Sequence, residues 1–137
     1  MLRWMKLIRK KHSRRIAVDT ERVMALLDRT MVKESLFLDN GLTMRELARR
    51  AGTNRTYVSQ VMKVAGVSFY DYVNGFKLRY LAEHAVEFYE LKITAEEIAE
   101  KCGFSNARSM NKCVKKEYGV SSMRFIKEKF LNMNNSE

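Results

Sequence analysis

An all-α fold is predicted for this 137-residue chain by three observations. The chain has no proline and only six glycines, so little interrupts a helix. Leu, Met, Ala, Glu, Lys and Arg dominate, all good helix formers, and no β-branched run is long enough for a central strand. A pattern of helix start, short amphipathic helix and glycine turn also occurs twice. Residues 42–52 read LTMRELARRAG and residues 93–103 read ITAEEIAEKCG.

By size the chain is one domain, or two small ones sharing a core. Its net charge of +10 attracts polyanions, either nucleic acid or an acidic membrane surface. Cys102 and Cys113 do not make a disulfide framework. Both fall at apolar positions of predicted helices and read as reduced core thiols. No CxxC is present and His12 and His84 lie far from either cysteine, so no metal site is expected. No apolar run approaches the ~20 residues of a membrane span, and no secretory signal is convincing, which places the expected protein in the cytoplasm. Nucleophile motifs, phosphate loops and paired carboxylates are missing, so neither catalysis, a cofactor nor a small-molecule site is expected.

The elements follow in chain order. Residues 1–18 carry Arg3, Lys6, Arg9, Lys10, Lys11, Arg14 and Arg15 without an acid, with Trp4, Met5, Leu7 and Ile8 among them. Three readings of this basic arm stay open. It follows a DNA backbone, it anchors on an anionic membrane or a partner domain with Trp4 at the interface, or it is a solubilising tail, disordered or helical. A first helix is expected from Asp19 or Thr20 to about Glu34, with Val23, Leu26, Leu27 and Met31 as one apolar stripe. Asp39, Asn40 and Gly41 mark a turn.

Thr43 is the expected N-cap of the next helix. Glu46 completes a capping box and Leu42 staples onto Leu47. Thr94, Glu97, Ile93 and Ile98 repeat the arrangement. Gly52 and Gly103 end the two helices at low cost in the left-handed region. Beyond the glycines the copies differ by one residue: the offset between them is 51 before the turn and 52 after it. The helix after each turn starts at Asn54 or Asn106. Val58, Val61 and Met62 face inward in the first copy, and Met110, Cys113 and Val114 in the second.

A long helix joins the copies over about 68–88, capped by Ser68 and Asp71. Phe69, Tyr72, Val73, Phe76, Tyr80, Leu81, His84 and Ala85 keep a helical period. At 1.5 Å per residue it spans about 30 Å, close to one ~34 Å turn of B-DNA. A last helix follows Ser121 or Ser122, with Phe125, Ile126 and Phe130 inward and fraying from Asn132. The expected divisions are an arm over 1–18, a first helix-turn-helix subdomain over 19–66, a linker helix over 67–89, a second subdomain over 90–131 and a tail over 132–137. That is a homeodomain-like arrangement of seven helices.

With those inward faces, helical geometry turns Thr56, Ser59, Gln60 and Lys63 outward on the first reading helix, and Arg108, Ser109, Asn111 and Lys112 on the second. Gln60 suits adenine, Arg108 and Lys112 suit guanine, and hydroxyls on Thr56, Ser59 and Ser109 suit several bases. Asn54, Arg55, Tyr57, Lys63, Asn106, Asn111, Lys115 and Lys116 are better placed for the DNA backbone. Aromatics at helical spacing and His84 read as core or rim side chains.

These stretches resemble the DNA-binding domain of AraC/XylS-family bacterial transcription regulators. The resemblance rests on LTMRELARRAGTNRTYVSQVMK at 42–63, SFYDYVNGFKL at 68–78 and ITAEEIAEKCGFSNARSMNKCVKKEYGVSSMRF at 93–125. It implies two helix-turn-helix subdomains on a long helix, double-stranded DNA as partner, an activator that touches RNA polymerase, and base contacts at Thr56, Ser59, Gln60, Arg108, Ser109 and Lys112. The chain departs from the family pattern at Val114 (usually Phe), Ser121-Ser122 (Thr-Pro), Lys77 (Arg) and Leu81 (Ala). The arm resembles the basic stretch of membrane-linked sensors, which keeps open a DNA-binding piece of such a sensor. A basic anchoring module or one that binds nucleic acid without sequence preference is the alternative.

Overall fold

The computed structural model describes residues 14–135, which hold seven α-helices, one 3-10 turn and no strand. The helices are α1 (Arg14–Glu34), α2 (Met44–Ala51), α3 (Arg55–Ala65), α4 (Phe69–Leu91), α5 (Ala95–Lys101), α6 (Ala107–Tyr118) and α7 (Ser122–Asn135). α1 starts inside the segment read as an arm, and its first five side chains lie outside the description. Of the arm read over 1–18, residues 1–13 lie outside the described residues, while Arg14 and Arg15 stand in the first turn of α1. α7 continues to Asn135, past the point where fraying was expected.

The chain forms two compact units. The first combines the described residues up to Leu36 with Gly41–Val73, and the second combines Phe37–Asn40 with the described residues from Asn74 onward. α4 therefore gives its first turn to the first unit and the remainder to the second.

In the first unit α1, α2 and α3 pack against one another. Met24, Leu27 and Met31 of α1, Leu47 of α2 and Val58 of α3 are wholly buried. Met24 displaces the expected Val23 and Leu26, which are half-buried, from the centre of the stripe. The reason is the partner: a face that meets two helices at once is centred by both, whereas periodicity ranks only the apolar residues along α1. Tyr72, 3 % exposed, donates a 2.6 Å hydrogen bond to Asp28 Oδ1 and so pins the start of α4 to α1. Burial first, and then the neighbouring Asp28 carboxylate, push the phenol's pKa upward, so it stays a donor.

The second unit is built on one cluster. Leu78, Leu81, Ala85 and Phe88 of α4 join Ile98, Ala99 and Cys102, then Phe104, Met110 and Val114, and finally Phe125 and Ile126. Leu81 and Val114, larger and smaller than the family pattern, both lie wholly buried here, so the two departures change core volume in opposite senses. Lys77 is 8 % exposed, with its ammonium 5.4 Å from the Phe104 ring centre. Burial lowers its pKa, against the raising influence of Cys113 and Asp39. Cys102 is a buried free thiol that burial pushes up to about 12. His84 Nδ1 lies 2.9 Å from the Tyr80 carbonyl and its ring stacks 4.0 Å from Tyr80, as expected of a rim histidine.

Two details bear on stability. Gly52 and Gly103 both sit in the left-handed region, at φ +78 and +85. A Cβ on Gly52 would meet nothing within 4 Å, but one on Gly103 would lie 2.5 Å from the Phe37 carbonyl oxygen and 2.7 Å from Leu38 Cα. Phe37 is held there by ring contacts to Phe76 and Tyr80 at 5.9 and 5.8 Å. At the start of α7, the Ser122 backbone N–H donates to Asn111 Oδ1 at 2.9 Å, while the buried Ser122 hydroxyl has no hydrogen-bond partner.

Gly52→Ala should cost about 1–2 kcal/mol for its left-handed conformation alone. Gly103→Ala should cost about 3 kcal/mol or more, because backbone must also move. Urea unfolding of the two variants checks the difference; equal losses would refute the close approach. Ser122→Ala should hold or raise stability, by up to about 1 kcal/mol, since it removes an orphaned hydroxyl and keeps the N–H to Asn111. A fall in melting temperature would contradict this.

Candidate nucleic-acid interface

The surface begins with two turns made the same way. Thr53 N–H bonds the Ala48 carbonyl and Gly52 N–H that of Arg49; Phe104 N–H bonds Ala99 and Gly103 N–H bonds Glu100. Each pair is related by the offset of 51. This Schellman closure satisfies the last carbonyls of the preceding helix and aims the chain into the next one. α5 ends one residue earlier than α2 in this register, at Lys101, with Cys102 as its C-cap and Gly103 following. The next helix is then capped by asparagine in both copies. Asn54 Oδ1 accepts from Tyr57 N–H at 2.9 Å, and Asn106 Oδ1 accepts from Ser109 N–H at 2.8 Å, now at an offset of 52.

The starts of α2 and α5 are less alike. Thr94 and Glu97 make the full reciprocal capping box. Thr43 accepts from Glu46 N–H at 3.1 Å, but the Glu46 carboxylate turns away to Arg49 and Arg50 at 2.7 and 3.0 Å. Arg50 also reaches Glu34 of α1 at 2.7 Å. The expected first box is therefore half a box. Two guanidinium partners outcompete one backbone amide for an exposed carboxylate. Arg49 and Arg50 are held in this network.

On α3, Thr56, Ser59, Gln60 and Lys63 are exposed, as are Arg55 and Tyr57, while Val58, Val61 and Met62 are buried. On α6, Arg108, Lys112, Lys115 and Lys116 are exposed. Ser109 and Asn111 are only half-exposed. The Asn111 oxygen is committed to Ser122, which fixes α7 against α6. Asn54 and Asn106 are exposed but use their side-chain oxygens as caps. Cys113 is half-buried and Met110 and Val114 are buried, so both helices show the expected inward faces.

One stripe on α3 holds Thr56, Gln60 and Lys63, and the same register on α6 holds Arg108, Lys112 and Lys115. The supports match while two of the three outward positions differ in chemistry. A recognition helix needs this division: a packed back, a capped start and an outward row of hydrogen-bonding side chains long enough to reach base edges.

Sequence reasoning passed over Arg45 and Glu96, which occupy the same register in the two copies. Arg45 is exposed and lines a shallow groove with Leu42, Thr43, Met44, Arg55 and Phe69. Glu96 Oε2 accepts from Ala107 N–H at 3.3 Å, at the start of α6. Laying one copy over the other, residue by residue, would have found the contrast, but only folding shows what Glu96 touches.

A short helix, a left-handed glycine turn and a capped second helix with a polar outer row define a helix-turn-helix DNA-binding protein, and this chain has two such units. The helix-turn-helix domain family model matches residues 47–128, and the chain belongs to that family, the AraC-type DNA-binding domain of transcription regulators. No curated protein and no solved structure matches it. Among the described residues no helix is long and apolar enough to cross a membrane.

The Glu46 network makes stability depend on pH. Hydrogen bonds from Arg49 and then Arg50 hold the Glu46 carboxyl at about 2, below its ordinary 4.5. Its folded value lies below its unfolded one, so its contribution is complete above about 4.5 and fades as pH falls toward about 2. Melting temperatures of the wild type and Glu46→Gln should therefore differ near neutrality and converge as pH falls toward 2. The gap should shrink in high salt, because the network is exposed. A constant gap across that range would assign the effect to something other than this charge.

Proposed function

We propose that this DNA-binding regulator is a sequence-specific activator that inserts α3 and α6 into successive major grooves. The observation that carries this reading is the pair of capped helices whose outward rows share one register but differ in chemistry. Two heads with the same preference would need only one kind of row.

In this reading Thr56, Ser59 and Gln60 face bases in one groove and Arg108, Ser109 and Lys112 face bases in the next. Arg108 and Lys112 lie one turn apart and offer charged donors to guanine O6 and N7. Gln60 pairs with adenine through its carboxamide. Asn54, Arg55, Tyr57, Lys63, Asn106, Asn111, Lys115 and Lys116 hold the phosphates that set register. For Asn54, Asn106 and Asn111 this role falls to the amide nitrogen, since their oxygens accept from Tyr57, Ser109 and Ser122. RNA polymerase, met in the bacterial cytoplasm, is the proposed protein partner. The arm over 1–18 adds contact to the DNA backbone, a membrane or a partner domain. The subdomain divisions at 66, 89 and 131 are proposed with it.

Site selection from random duplexes with the full chain should yield two short blocks about 10 bp apart. A single block would remove the first head from base reading, and no enrichment would leave a basic module without sequence preference. Arg108→Ala should cost about 1–3 kcal/mol at the selected site and relax one base position. Lys115→Ala should weaken binding to every duplex alike and flatten the salt slope by about one unit. Uniform weakening by Arg108→Ala would refute base reading by that residue.

A further inference from the structure

We infer that Glu96 is an electrostatic gate, specific to the second head, that keeps DNA phosphate off the backbone amides at the start of α6, leaving it the Asn106 amide nitrogen, and thereby lowers the affinity of this head for DNA of any sequence. The inference rests on the reading above, that α6 enters a DNA groove.

The first observation is geometric. Glu96 Oε2 accepts from Ala107 N–H at 3.3 Å, across eleven residues of chain. Glu96 itself is exposed while Ala107 is buried, so the carboxylate lies over the amide end of α6 with one side toward solvent. Free backbone N–H groups and the helix dipole make such an end attractive to phosphate. Here that attraction is already answered by a protein carboxylate. With Asn106 also accepting from Ser109 N–H, two of the first amides of α6 point at oxygens of the chain itself.

The second observation is the other copy. The residue in the register of Glu96 is Arg45, and the residue in the register of Ala107 is Arg55. Both arginines are exposed and line the same shallow groove. Arg45 stands in the first turn of α2, where the helix dipole favours an acid and disfavours a cation. Local helix chemistry thus explains Glu96 at this register but opposes Arg45. The two heads differ at the one place where a recognition helix most readily takes sequence-independent contacts.

The consequence is a division of labour. Backbone contacts add affinity equally on every sequence, whereas base contacts add it only on the right one. A carboxylate near the phosphates lowers the first without touching the second. The second head, carrying Arg108, Lys112 and Lys115, would otherwise bind any duplex strongly through charge. Glu96 removes part of that indiscriminate attraction.

The test uses the full chain, its selected duplex and a scrambled duplex over a range of salt. Glu96→Gln keeps an oxygen that can accept from Ala107 and removes only the charge. It should bind both duplexes about two- to fivefold more tightly at low salt, with a salt slope steeper by up to about one unit, and the ratio of selected to scrambled affinity should stay the same. Glu96→Asp keeps the charge on a shorter stem and should leave the salt slope unchanged. Unaltered or weaker binding by Glu96→Gln on both duplexes would overturn the gate. So would a change confined to the selected duplex, which would make Glu96 a base reader, or a slope change shared by Glu96→Asp. A Glu96→Gln chain that fails to fold would make the residue structural and also overturn it. A wild-type chain that binds no duplex would overturn the DNA-reading proposal itself; wild-type binding without the Glu96→Gln effect would overturn the gate alone.

Discussion

The left-handed turn at Gly103 is the constraint on which the second unit depends. Its φ of +85 is one that only glycine adopts cheaply, and its missing Cβ is what lets the Phe37–Leu38 backbone lie against it. Phe37 then reaches Phe76 and Tyr80 on α4, so one absent methyl group joins an early turn of the chain to the long helix and to the helix-turn-helix. The same turn fixes the direction in which α6 leaves α5, and Asn106 fixes where α6 begins. Every outward position of α6 follows from those two residues, because helical rotation is set once the start is set.

Gly52 shares the conformation without the crowding, which separates two reasons for a glycine that look identical in sequence. The two capping boxes teach a similar lesson. Thr94 and Glu97 close theirs, whereas Glu46 turns to Arg49 and Arg50, and Arg50 bridges to Glu34. An arginine in the last turn of α2 suits the helix dipole in any case. Here it also competes for the acid that the motif assigns to the backbone. The shared scaffold is thus a matter of glycine and asparagine geometry, and the differences between heads are a matter of charge.

Much of this was legible in the residues. Helix identity, the staggered offset across the turn, the Asn54 and Asn106 caps, and the inward triplets on α3 and α6 all follow from local rules that act within four residues. The outward residues were legible for the same reason, as the complement of the inward ones. Less legible was the availability of each outward group. Asn111 lies outward by period but gives its oxygen to Ser122, and Ser109 is half-covered. A periodicity argument sees one helix at a time and cannot know which neighbour takes a side chain.

By itself, then, the sequence determined the class of fold, the two-fold reuse of one scaffold and the rows of side chains that face away from it, because hydrophobic period, capping and glycine turns are local in the chain. Tertiary structure alone decided that Met24 rather than Val23 centres α1, that a backbone segment lies against Gly103 and none against Gly52, and that Glu96 sits over the start of α6. Each of these joins residues eleven or more apart or the packing of several helices at once. Such contacts depend on where the chain returns in space, which no local pattern encodes.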